Sequence, residues 1–165
     1  MNTDIQMLLQ RLQTRMAARA IEILIVDDNP GDVLLTMEAL RDARISNNVH
    51  VASDGAVALA FLKREGVLGD APIPDLVFLD LRMPKVDGFQ VLAEMKADPE
   101  LRRIPVIVMS SSGAESDLAR AYDAQIAGYL VKPIDLDSYF SAIRAIKEFW
   151  FNVVTLAPKA RSAAR

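Results

Sequence analysis

Several residues able to do chemistry stand directly behind short apolar runs. Asp27-Asp28 follow Ile21-Glu-Ile-Leu-Ile-Val26, and Asp80 follows Leu76-Val-Phe-Leu79. Ser110 closes Ile104-Pro-Val-Ile-Val-Met109, and Lys132 closes Gly128-Tyr-Leu-Val131. Three carboxylates brought close together repel one another and rise in pKa unless a cation joins them. A few oxygen ligands with open positions suit magnesium, which keeps waters and shares a substrate's phosphate. A protonated lysine cannot ligate a metal and suits an anion instead, and a serine hydroxyl can donate to one oxygen of that anion. Metal, lysine and hydroxyl around an aspartate is the arrangement that phosphoryl transfer onto a carboxylate needs, because positioning and charge neutralisation do most of the work.

The rest of the composition narrows the alternatives. Cysteine is absent and His50 is the single histidine among 165 residues. Thiol nucleophiles, thiolate metal sites, disulfides and any site needing two histidines are thereby excluded. A chain that is 52% hydrophobic and 25% charged, with seven glycines and eight prolines, is an ordinary globular protein of one domain. Its charge is uneven. Residues 1–20 carry Arg11, Arg15 and Arg19 against Asp4, and residues 156–165 carry Lys159, Arg161 and Arg165 without an acid. Residues 21–155 hold 13 basic and 21 acidic side chains, a charge of −8, so nucleic acid phosphate is repelled. No apolar run approaches the ~18 residues of a membrane span, and residues 1–20 lack a signal peptide's compact apolar block. The expected location is the cytoplasm, away from membrane and nucleic acid.

The elements that must position these groups alternate. Residues 5–16 place Ile5, Leu8, Leu9, Leu12 and Met16 at helical spacing, an amphipathic extension over residues 1–20, though Met16 could equally begin the chain. Ile21–Val26 is a buried strand, and a helix starts near Pro30. Val49–Ala52 alternates like an edge strand, and Asp54-Gly55 opens a helix. Residues 66–75, with two glycines and two prolines, are a loop. Leu76–Leu79, Ile104–Met109 and Gly128–Val131 are strands. Helices follow at Gly88–Lys96, around Leu118–Tyr122, and from 136 to about 151 behind Asp135 as N-cap. Five strand–helix units imply a flavodoxin-like (βα)5 fold: a doubly wound parallel sheet in order 2-1-3-4-5 with helices on both faces. Ligands of such sheets bind beyond the carboxyl ends of the strands at the switch in strand order, where strands 1 and 3 adjoin. Asp27, Asp28 and Asp80 converge there, with Ser110 and Lys132 on the next two strands.

Over residues 21–150 the chain resembles a two-component response-regulator receiver domain (CheY-like). The resemblance is carried by Asp27-Asp28, by Asp80-Leu-Arg-Met-Pro84 with Asp87-Gly88 behind it, by Ser110, and by Tyr129 through Lys132-Pro133. It implies a signalling protein rather than an enzyme. Asp80 would be the nucleophile that takes phosphate from a phosphohistidine on a sensor histidine kinase. Asp27, Asp28, Asp80 and the backbone carbonyl of Arg82 would hold magnesium, and Lys132 would pair with the phosphoryl oxygens. Ser110 and Tyr129 would form a switch that changes the surface of the last two helices and the last strand. The domain is expected over residues 21–155, with a basic tail at 156–165. The loop at 66–75 and the aromatic C-terminal extension are similar to those of stand-alone regulators paired with phytochrome-type kinases, which points to a bacteriophytochrome as partner.

Plainer readings exist for each residue. Asp27-Asp28 could cap a helix and open a turn, Asp80 could cap a loop, and Tyr129 could be core. His50 reads as an edge-strand surface residue, and Ser111 and Ser112 as loop polar groups. Ser111, Ser112 and the bulky Arg82 stand where they could alter attack of water on an acyl phosphate. Leu136, Tyr139, Phe140, Ile143, Ile146 and Trp150 form a stripe, and Phe149, Phe151, Val153 and Val154 add apolar surface. This surface is expected to build a homodimer, the alternative being a tail folded back on its own domain. With no room for an output domain behind residue 155, the chain is expected to act by docking, dimerising or passing phosphate on. A magnesium-dependent phosphatase of haloacid-dehalogenase-like type is a second reading, although Asp-x-Asp-x-Thr does not follow the first strand. A nucleotide-binding Rossmann domain is a third, without G-x-G-x-x-G or a Walker lysine.

Overall fold

The computed structural model describes residues 3–17, 20–41, 47–132, 135–153 and 156. Pro133, Val154 and nearly all of the basic tail lie outside them. A helix α1 (Thr3–Ala17) precedes five strand–helix units: β1 (Ile21–Val26), α2 (Pro30–Arg41), β2 (Asn47–Ala52), α3 (Gly55–Lys63), β3 (Leu76–Leu79), α4 (Gly88–Ala97), β4 (Val106–Ser110), α5 (Glu115–Asp123), β5 (Gly128–Val131) and α6 (Leu136–Glu148). All strand pairs are parallel, and the sheet order is β2-β1-β3-β4-β5, as the alternation implies.

Successive strand side chains point to opposite faces, and here both faces are covered, so the central strands read as unbroken apolar runs. Leu24, Val26, Val77, Leu79, Val106 and Val108 pack with Phe61, Leu62, Leu92 and Met95 of α3 and α4. On the other face Ile23, Ile25, Phe78, Ile107 and Met109 pack with Leu40 of α2 and Tyr139 and Ile143 of α6. The half-exposed β2 stands at the edge, as its alternation implies.

Several details differ from expectation. β4 begins at Val106 rather than Ile104. Pro105 has no N–H to give the ladder; its carbonyl instead accepts from Val77 N at 3.0 Å. The loop at 66–75 contains one tight helical turn, Gly66–Leu68, entered through Gly66 at φ +57°, a conformation that favours glycine. α6 gives way at Phe149 to a wider turn, Phe149–Val153. His50 is more than a surface residue: it is half-buried, its Nε2 lies 2.6 Å from Glu22 Oε2, and its ring packs 5.2 Å from Phe61.

The aromatic C-terminal stripe mostly folds back. Tyr139, Ile143 and Phe151 are buried, and Phe140, Ile146 and Trp150 pack against the same cluster. Lys147 is fully buried and donates to the Leu40 carbonyl at the end of α2. A cation there suits the negative end of the helix, although burial pulls the lysine below its ordinary pKa. Leu136 and Phe149 stay exposed, at 56% and 52%. Ile5, Leu8 and Leu9 of α1 are exposed as well. Among the described residues no helix is long and apolar enough to cross a membrane.

Candidate phosphoryl-transfer site

Asp27, Asp80 and Lys132 each stand one step past a strand, Ser110 is the last residue of β4, and the hydrogen-bond ladder holds them. Asp27 N donates to Ala52 O at 3.1 Å, Asp80 N to Val26 O at 2.9 Å, and Lys132 N to Ser110 O at 2.7 Å. The backbone therefore sets the spacing of these side chains before they interact. Gly88, at the start of α4, completes the wall behind Asp80: a Cβ there would lie 2.4 Å from the Asp80 carbonyl oxygen. Asp87 caps that helix through the Gln90 N–H, with Gln90 returning the bond.

Asp27, Asp28 and Asp80 each offer a carboxylate oxygen, and these oxygens lie within 4.8 Å of one another. Asp27 and Asp80 are buried while Asp28 faces solvent. Bonds of ~2.0–2.1 Å to a hard cation put neighbouring ligand oxygens about 3 Å apart, so the three carboxylates would draw together to hold a divalent ion. The donor set fits such an ion. Burial pushes the Asp80 carboxyl up to about 6, helped by the charges of Asp27 and Asp28 and opposed by the Arg82 N–H and Lys132. The Arg82 N–H donates to Asp80 Oδ1 at 3.1 Å.

Capping of α2 does not explain the acidic pair. Asn29 does that work: its Oδ1 accepts from Gly31 N at 2.9 Å and Asp32 N at 3.3 Å. Asp27 Oδ1 accepts from Asn29 N at 2.9 Å, and its other oxygen takes Lys132 Nζ at 2.8 Å. Lys132 Nζ also donates to Asp32 Oδ2 at 2.9 Å. Burial works against the ammonium, but the bonds to Asp27 and Asp32 outweigh it and hold its pKa above the ordinary lysine value. In this arrangement the lysine is the counter-ion of the acidic cluster, not a free cation.

Spacing alone does not single out Asp32. The signal available is its place in the first turn of a helix starting beside the acidic pair. A cleft of about 540 Å³ opens over Asp28, Asp32, Asp80 and Lys132, with Leu35 and Leu136 along its apolar side. Ser111 lines this cleft, whereas Ser110 is fully buried beneath it and accepts from Ser112 N at 3.2 Å. Tyr129 is half-buried against the core, and its hydroxyl donates to Ser112 O at 2.7 Å. The two expected switch residues therefore meet through Ser112.

A carboxylate with a cation site on one side and an ammonium on the other, at the floor of an open cleft, can accept a phosphoryl group. Comparison with known proteins identifies the family. The response regulator receiver domain model matches residues 23–144. Response regulator Rcp1 of Synechocystis sp. is 40% identical over 134 residues, which span 81% of this chain and 91% of that protein. The solved structure of the phosphorylated cyanobacterial phytochrome response regulator RcpA aligns with a TM-score of 0.81 and 41% identity, covering 85% of this chain and 100% of that one. The Mn(2+)-bound form of response regulator Rcp1 aligns with a TM-score of 0.79 and 38% identity, covering 84% and 99%. A haloacid-dehalogenase-like phosphatase finds no support: the first strand is followed by Asp27-Asp28-Asn29-Pro30-Gly31 rather than Asp-x-Asp-x-Thr, and Asp80 follows β3. The chain belongs to the response regulator receiver domain family, the phosphoryl-accepting modules of two-component signalling.

Proposed function

We propose that Asp80 is the phosphoacceptor, taking its phosphoryl group from a phosphohistidine on a sensor histidine kinase of the phytochrome or bacteriophytochrome type. The observation that carries this reading is the convergence of Asp27, Asp28 and Asp80 within 4.8 Å beside Lys132, at the switch point of the sheet. An Asp80 carboxylate oxygen attacks phosphorus, the bond from phosphorus to the donor nitrogen breaks, and the imidazole leaves with the electron pair. Asp27, Asp28, Asp80 and the Arg82 carbonyl would hold magnesium, which when bound neutralises charge on the transferring group. Lys132 turns from Asp27 and Asp32 toward the phosphoryl oxygens, Ser110 donates to one of them, and Tyr129 follows through Ser112. The similarity to Rcp1 and RcpA supports the choice of kinase class, and the acidic body supports a protein that does not bind nucleic acid.

Incubation with acetyl phosphate and magnesium is expected to give a stoichiometric acid-stable, base-labile adduct that is absent in Asp80→Asn. Rapid multiple turnover of a phosphomonoester without such an adduct would overturn the reading.

We further propose a homodimer through the C-terminal helix region, where Leu136 and Phe149 remain exposed. Sedimentation is expected to show a dimer that Phe149→Glu dissociates, while a monomer at high concentration, phosphorylated or not, refutes it.

A further inference from the structure

Arg82 is the second residue beyond Asp80, and its exposed side chain forms a wall shared by two hollows. One is the cleft over Asp80, and the other is a recess of about 300 Å³ that also contains Asp117, Phe89 and Arg120. The guanidinium is drawn to the far side: its Nη2 donates to Asp117 Oδ2 at 2.6 Å. Asp117 is itself fixed, because the same oxygen accepts from the Ser112 hydroxyl, also at 2.6 Å. Arg120 lies over the Phe89 ring, 3.9 Å from its centroid, as a second cation beside Asp117.

We propose that Asp117 is a positioning residue that holds Arg82 away from the acyl phosphate and thereby shortens the life of the phosphorylated state. This rests on Asp80 being the phosphoacceptor. An exposed ion pair is weak and exchangeable, whereas a phosphoryl dianion offers a guanidinium a higher charge and two acceptor oxygens. Arg82 is therefore contested between Asp117 and the phosphoryl group, with Arg120 left to neutralise Asp117 when Arg82 departs. Spontaneous loss of the group requires a water oxygen to attack phosphorus. The bond from phosphorus to the Asp80 oxygen then breaks, the carboxylate leaves with the electron pair, and inorganic phosphate and a proton enter solvent. Arg82 turned into the cleft covers the phosphoryl oxygens and obstructs that water.

The test follows the half-life of the adduct formed with acetyl phosphate and magnesium, after gel filtration, in wild type, Asp117→Asn, Arg82→Ala and the double variant. The substituted amide keeps an acceptor for Ser112 and loses the charge that holds Arg82. Asp117→Asn is expected to lengthen the half-life about two- to fivefold, the scale of one exposed ion pair. Asp117→Glu is expected to restore the wild-type value. In the Arg82→Ala background Asp117→Asn is expected to change nothing. An unchanged or shorter half-life in Asp117→Asn overturns the proposal, as does an equal lengthening with and without Arg82. Wild-type protein that forms no adduct overturns the assignment of Asp80 and this proposal with it, so the two failures are told apart.

Discussion

Lys132→Met is expected to slow phosphorylation of Asp80 by at least about 100-fold, the scale of losing one aimed charge in a partly dry site. It is also expected to destabilise the metal-free protein by about 3 kcal/mol, the scale of stranding a buried ion-pair partner. The stranded group is Asp27, whose side chain is 1% exposed and whose Oδ2 bonds Lys132 at 2.8 Å. Asp32, one-third exposed, is rehydrated more readily and adds little. The two effects separate with metal. A divalent cation bound to Asp27 supplies the missing charge, so the stability deficit should shrink as magnesium is added while the transfer defect persists. Urea denaturation with chelator and with magnesium, set beside adduct formation, checks both. Equal stability of variant and wild type in chelator would contradict the role of Lys132 as counter-ion of the acidic cluster.

Asp80→Asn is expected to stabilise the metal-free protein at neutral pH while abolishing the adduct. The Asp80 carboxyl is raised from 3.8 to about 6, first by burial and then by its two acidic neighbours. A carboxyl with a raised folded-state pKa favours folding in its protonated form, so it costs nothing below about pH 4. The cost grows as pH rises from about 4 to 6, where the unfolded chain ionises and the folded chain resists, and it is constant above. The full shift is discounted because the group opens onto a solvated cleft, leaving about 1–2 kcal/mol. In chelator, the variant should match wild type near pH 4 and exceed it by that amount at pH 8. Magnesium should remove the advantage by stabilising wild type alone. A variant less stable than wild type at pH 8 in chelator would contradict this electrostatic account.

Both predictions come from residues visible in the sequence, because each site group ends a strand of a sheet buried on both faces. Such strands are continuous apolar runs, so their ends, and the polar residues that follow, are easy to read. Side-chain pairing is less legible. Lys132 meets Asp27 and Asp32 across 105 and 100 residues of chain, and no local periodicity encodes that meeting. The chain from Arg82 through Asp117 to Ser112 likewise joins three loops or helix starts that are separate in sequence. Ser112 and Arg82 stand next to the chemistry in sequence, whereas nothing local marks Asp117 in the first turn of α5. The folding back of part of the C-terminal stripe is also hard to read from sequence. The stripe's apolar content exceeds one buried face, yet the sequence does not show that the turn at Phe149–Val153 brings Phe151 back onto the sheet side of the helix. His50 reads as a surface residue because its partner Glu22 lies on the neighbouring strand, 28 residues away.

Asp80 is the one carboxylate proposed to receive the phosphoryl group. Borohydride reduces an acyl phosphate to the alcohol and leaves free carboxylates intact, so it marks the residue that carried the phosphate. Protein treated with acetyl phosphate and magnesium, reduced, digested and read by peptide mass spectrometry is expected to show homoserine at position 80 and aspartate at positions 27 and 28. Reduction at Asp27 or Asp28 with Asp80 unchanged would contradict the account.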